Sequence, residues 1–135
     1  MKVLAIDFGE KRMGFSIGDT SVKTATPLPP MNRKKPAHDL IHIKKILDDY
    51  EIDKIILGYP LNMNGSHGPV TRKVEAFKSF LSKNIDIEIQ FVDERLSSFE
   101  AEELLKPIIK SNQKRKKIID STAALVILKS YLNLP

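Results

Sequence analysis

The chain opens with Lys2-Val3-Leu4-Ala5-Ile6, an unbroken apolar run set directly ahead of one carboxylate, Asp7. A strand with one wetted face alternates apolar and polar residues. An unbroken run belongs to a strand covered on both faces, in the middle of a sheet flanked by helices. Asp7 therefore arrives at the carboxyl end of a central strand, where ligands gather in open α/β sheets. An aspartate there suits equally well a cap for the following turn, Phe8-Gly9-Glu10-Lys11.

Next, Met13, Phe15 and Ile17 alternate with Gly14, Ser16 and Gly18. The spacing predicts a strand with one large apolar face and one face of very small residues, across which another element can approach closely. Asp19-Thr20-Ser21 reads as a second turn and Val22 to Thr26 as a third strand, which makes an antiparallel meander. Pro27 to Pro36 carries four prolines and the basic cluster Arg33-Lys34-Lys35, and reads as an irregular connection.

Beyond it, Leu40, Ile43, Leu47 and Tyr50 recur at helical spacing. Lys54 to Leu57 is a short strand ending at Gly58, and Tyr59 to Pro69 reads as a loop. Val70, Val74, Phe77 and Leu81 mark a helix, and Ile85 to Val92 a strand that ends at Asp93-Glu94-Arg95. Ser97 and Glu100 make a capping box ahead of a further helix, and the last helix spans Lys116 to Leu132. The order β-β-β-α-β-α-β-α-α predicts an α/β fold with a mixed sheet, an antiparallel β1-β2-β3 meander and flanking helices.

With 135 residues, a single domain over 1–135 is expected. There is no cysteine, which excludes disulfides and thiolate metal sites. The first residues show no signal-peptide pattern, and no apolar run approaches the roughly 18 residues of a membrane span. The expectation is a cytoplasmic protein with no membrane association. A formal net charge of +5 suits a polyanionic partner. The two basic clusters, Arg33-Lys34-Lys35 and Lys114-Arg115-Lys116-Lys117, are read equally well as solvated surface.

Three acidic positions stand against the pattern: Asp7, the Asp93-Glu94 pair at the end of the last strand, and Asp120. Asp93 shares the parity of Ile87, Ile89 and Phe91, Glu94 that of Gln90 and Val92, and parity alone does not choose between them. Asp120 is the most informative, because it shares a helix face with Ala124, Ile127 and Tyr131. A carboxylate on a packed face is costly unless paired or bound to a cation, although placement near a helix N-terminus also favours it. Carboxylates converging from separate elements provide the hard oxygen ligands that Mg²⁺ or Mn²⁺ takes. Such ions can activate a water and stabilise the leaving oxygen of a phosphodiester, and with a basic surface the substrate is nucleic acid.

Four segments carry a family resemblance: Ala5-Ile6-Asp7-Phe8-Gly9-Glu10-Lys11-Arg12-Met13-Gly14, then Gly58-Tyr59-Pro60-Leu61-Asn62-Met63-Asn64-Gly65-Ser66, then Val92-Asp93-Glu94-Arg95-Leu96-Ser97-Ser98, then Ile119-Asp120-Ser121-Thr122-Ala123-Ala124. In this order and spacing the chain resembles the YqgF/RuvX-like pre-16S ribosomal RNA nucleases, earlier described as Holliday junction resolvases. The resemblance implies an RNase H-like fold, with Asp7, Glu94 and Asp120 as the catalytic, metal-holding acids. The choice of Glu94 over Asp93 rests on it alone. It also implies Mg²⁺ or Mn²⁺ as cofactor and trimming of the ribosomal RNA precursor, whose 5′ end is the expected target. Tyr59 stands where an aliphatic residue is more usual, and Ser98 where threonine is common.

Lys11, Arg12, Asn62 and Arg95 are the candidate substrate contacts. Lys11 and Arg12 follow Asp7 as charge-assisted donors to phosphate, or as an exposed hairpin tip. Asn62 belongs to a glycine-containing loop ahead of a helix N-terminus, and Arg95 can pair with Asp93 or with a phosphate. His67, in the same loop, is a weaker candidate for proton transfer, and His38 and His42 are read as surface helix residues. The expected partner is nucleic acid and the chain a monomer or homodimer. Resolution of branched DNA, or binding without cleavage, are the alternative functions. A sugar-kinase-like ATPase, suggested by Ile6-Asp7-Phe8-Gly9, is disfavoured by the short chain and the missing second phosphate motif.

Overall fold

The computed structural model describes residues 1–59, 68–93 and 123–132. Five strands form one sheet in the order β3-β2-β1-β4-β5: β1 (Lys2–Asp7), β2 (Arg12–Asp19), β3 (Thr24–Asn32), β4 (Lys54–Tyr59) and β5 (Glu88–Asp93). β1 lies at the centre, antiparallel to β2 and parallel to β4, and β4 is parallel to β5. Val3, Leu4, Ala5 and Ile6 are all fully buried, as their unbroken apolar run requires.

Alternation sorts these residues onto two sides. Leu4, Ile6, Phe15, Ile55, Leu57 and Ile89 join the core covered by α1 (Pro36–Asp49) and α2 (Pro69–Asn84). Val3, Ala5 and Ile56 face the opposite side and pack against Ile127 and Leu128 of the helical segment 123–132. The small face of β2 receives that segment. Ser16, fully buried, donates from Oγ to the Ala124 carbonyl at 2.8 Å. A Cβ built on Gly18 would stand 3.0 Å from Leu128 Cδ2 and 3.1 Å from Leu132 Cδ1. The close approach expected of this small-residue face is thus realised at Ser16 and Gly18 by this helical segment.

The third strand departs from the sequence expectation. It begins at Thr24 rather than Val22 and continues to Asn32, through Pro27, Pro29 and Pro30. Two features accommodate the prolines. β3 is an edge strand, so a missing N–H on its outer side breaks no ladder. The register also slips: Met13 faces Met31 and Phe15 faces Leu28, so β3 spends one extra residue in the bulge that holds Pro29 and Pro30.

The last described strand is shorter at its start than expected. Ile85 caps α2, its N–H donating to the Leu81 carbonyl at 2.9 Å, and Ile85 and Ile87 reach the core from the connection. Two helix faces also shift. Ile46 is buried where Tyr50 was expected to be, and Tyr50 is the C-cap of α1, 39% exposed. In α2 the buried residue of the first turn is Thr71, whose hydroxyl accepts the Gly68 N–H at 3.1 Å. The helix expected after Ser97 lies outside the described residues, as does the first part of the last helix.

Candidate functional site

Asp7 is the last residue of β1 and is half-buried. By alternation it faces the side of Val3 and Ala5, where the segment 123–132 packs. Its partner on β2 is Gly14. On β4, Ile6 is level with Leu57, so the residue level with Asp7 is Gly58. The carboxylate is therefore flanked by glycine on both neighbouring strands, and neither neighbour raises a side chain beside it.

The residues after Asp7 turn sharply. A Cβ on Gly9 would stand 2.2 Å from the Arg12 carbonyl oxygen, so the close approach needs glycine. Phe8 returns to the α1/α2 core, its ring centroid 5.2 Å from that of Phe77. Lys11 is exposed and Arg12 half-buried at the start of β2, so both candidate cations stand at the Asp7 end of the sheet. Glu10 is tied at 2.7 Å to Lys73 of α2, whose ammonium holds the Glu10 carboxyl below the usual carboxylate range.

Asp93 is exposed at the end of β5, opposite Tyr59. Its parity follows Ile89 and Phe91 into the α1/α2 side, away from the side that Asp7 faces. Glu94, Arg95, Asn62, His67 and Asp120 lie outside the described residues. Among the described residues, no three His, Cys, Asp or Glu side chains form a metal-binding cluster. His42 is not a plain surface residue. It stacks on Phe15 with ring centroids 5.6 Å apart, and desolvation pushes its imidazole below its ordinary value.

One constellation near this end was missed in the sequence. Asp39 of α1 is 1% exposed and accepts from Arg33 Nε at 3.2 Å and from the Lys34 N–H at 3.0 Å. Arg33 Nη1 donates to the Gly9 carbonyl at 3.2 Å, and the guanidinium lies 4.6 Å over the Phe8 ring. The signal was available. Asp39 shares a helix face with Ile43 and Ile46 at i+4 and i+7, the same pattern that marked Asp120.

The family model for RuvX, Holliday junction resolvase, matches residues 1–134. The chain belongs to this family. Among its relatives, a protein of Halothermothrix orenii named "Putative pre-16S rRNA nuclease" is 43% identical over 133 residues, covering 98% of this chain and 95% of the relative. A protein of the same name from Carboxydothermus hydrogenoformans is 44% identical over 133 residues, covering 98% and 96%. The fowlpox virus Holliday junction resolvase has the same fold, with a TM-score of 0.57 at 16% identity over 98% of both chains. RuvC of T. thermophilus, solved with a Holliday junction substrate, gives 0.53 at 13% identity, covering 97% of this chain and 96% of that one. The five-stranded sheet with helices on both faces is thus RNase H-like, as the family resemblance implied, and the chain is a member of a nuclease family. No helix among the described residues is long and apolar enough to cross a membrane.

Proposed function

We propose that this chain is a divalent-metal-dependent nuclease that hydrolyses phosphodiester bonds at the Asp7 end of β1, with ribosomal RNA precursor as its substrate. The observation that carries the reading is the setting of Asp7. It is a carboxylate at the end of a fully buried central strand, with glycine on both sides and a helical segment packed along the same face.

Asp120, four residues ahead of Ala124 in the sequence, is the proposed second member; Ser16 Oγ meets the Ala124 carbonyl on the side of the sheet that Asp7 faces. Asp93 takes the α1/α2 side, away from the side that Asp7 faces, which favours Glu94 as the proposed third acid.

A hard-oxygen donor set of Asp7, Glu94 and Asp120 fits Mg²⁺ or Mn²⁺ in its chemistry, and neither flanking glycine raises a side chain beside Asp7. When bound, the metal supplies activation of water and stabilisation of the leaving oxygen. Around it, Asp7 fixes the reacting end of the strand, while Lys11 and Arg12 meet substrate phosphates. Arg95 and Asn62 are the proposed further substrate contacts.

The test is cleavage of a ribosomal RNA precursor fragment beside a DNA four-way junction, with Mg²⁺ or Mn²⁺ and then with EDTA. The expected result is metal-dependent cutting of the RNA, reduced by about a hundredfold or more in Asp7→Asn, the order seen when one preorganised charge-stabilising group is lost. Preferential cutting of the junction would move the substrate to branched DNA, the second reading, which the family description and the solved resolvase fold favour. Full activity in Asp7→Asn would end the proposal.

A further inference from the structure

Arg33, Lys34 and Lys35 are remote from Lys11 in sequence, and the β2–β3 ladder brings them together. Arg12 faces Asn32, and the Arg33 N–H donates to the Lys11 carbonyl at 2.8 Å. Asp39 and Arg33 then fix this junction from below. The Asp39 carboxylate accepts from the Lys34 N–H and from Arg33 Nε, and Arg33 Nη1 reaches the Gly9 carbonyl. Apart from the ion pair itself, the atoms so held are backbone atoms. The Lys11, Lys34 and Lys35 residues remain exposed at one edge, beside the Asp7 end of the sheet.

A buried carboxylate paired with a guanidinium is rarely more stabilising than apolar residues of the same volume. What it adds is fixed geometry. Here it fixes the spacing between two stretches of chain that carry exposed cations. We propose that Lys11, Lys34 and Lys35 form a contact for the phosphate backbone of the nucleic acid, and that Asp39 and Arg33 are its positioning pair. The proposal rests on the nuclease reading and extends it. Asp7 faces the side of segment 123–132, whereas Asp39 lies in the α1 core on the other side. The contact therefore meets the substrate backbone beside the Asp7 end of the sheet, from its α1 side.

The experiment is salt-dependent binding, by fluorescence anisotropy in EDTA, of a labelled RNA stem and of a DNA duplex of the same sequence. Each phosphate contact contributes about 0.7 to 0.9 to the slope of log K against log salt. Lys34→Gln/Lys35→Gln is expected to lower that slope by about 1 to 2 with the melting temperature unchanged. Arg33→Lys keeps the net charge but cannot bond both Asp39 and Gly9. It is expected to lower the slope as well, which a bulk charge effect would not do. The nucleic acid whose slope falls identifies the bound backbone as RNA or DNA. An unchanged slope in the double lysine variant overturns the contact, and an unchanged slope in folded Arg33→Lys overturns the positioning role. Failure of the nuclease reading is separate: it appears as wild-type protein that binds with its full salt slope yet cuts neither substrate in Mg²⁺ or Mn²⁺, whereas wild-type protein that binds neither nucleic acid overturns the contact.

Discussion

Ser16 Oγ donates a hydrogen bond of 2.8 Å to the carbonyl of Ala124, joining β2 to the helical segment 123–132 in a fully buried contact. This bond and the bare backbone of Gly18 set how near the helix comes to the sheet. Ser16→Ala leaves the Ala124 carbonyl without this donor, at a cost of about 1–2 kcal/mol. Gly18→Ala drives a Cβ to 2.4 Å from the Thr24 carbonyl oxygen and against Leu128, at about 1–3 kcal/mol. Urea denaturation measures both. If the helix sets the Asp7 face, both variants lose cleavage more than they lose stability.

The turn after Asp7 has no room for a side chain at Gly9. Gly9→Ala sets a Cβ 2.2 Å from the backbone oxygen of Arg12, and backbone cannot swing aside as a side-chain tip would. The expected cost is about 1–3 kcal/mol, with lowered affinity for nucleic acid as Lys11 and Arg12 are displaced. Thermal melting and anisotropy separate the two effects. Wild-type behaviour in both would show that the turn relaxes freely.

Removing one partner of the Asp39–Arg33 pair leaves the other charge poorly compensated. Asp39→Ala is expected to cost about 3 kcal/mol, the low end for a buried pair, because the Arg33 side chain keeps 20% exposure. Asp39→Asn, which keeps an oxygen for the Lys34 N–H, should cost less. A loss below about 1 kcal/mol in Asp39→Ala, read from denaturant midpoints, would show that solvent already screens the pair.

His42 makes stability depend on pH. Burial against Phe15, with repulsion from His38 and Lys45, holds its folded-state value below 6.5, so the folded state favours the neutral ring. The stability it contributes is complete above pH 6.5 and declines as pH falls toward the lower folded value. Wild type should therefore lose melting temperature on acidification through this window, and His42→Gln should lose less. Parallel pH profiles of the two proteins would refute the assignment.

The central strand, the meander, the alternating helices and the strand-end position of Asp7 were legible in the chain, because each depends on local periodicity. A short unbroken apolar run ahead of a turn suits a strand buried on both faces, and Val3 to Ile6 form one. The small face of β2 was legible for the same reason, since Gly14, Ser16 and Gly18 recur with the period of the pleat. The path of β3 was not. Prolines mark a break in local terms, and only the edge position and the bulge opposite Phe15 make Pro27 to Pro30 compatible with pairing.

The candidate site divides along the same line. Sequence supplied the candidates for the proposed chemistry: Asp7 at a strand end, cations just after it, and further acids at set intervals. Tertiary structure alone decided what stands beside them. Gly58 comes level with Asp7 through parallel pairing, and Arg33 reaches Gly9 across β2. Asp39 becomes buried only because α1 lies on that face of the sheet. Periodicity is set by each residue's own backbone geometry, whereas these contacts depend on the register between segments far apart in the chain, which long-range packing fixes.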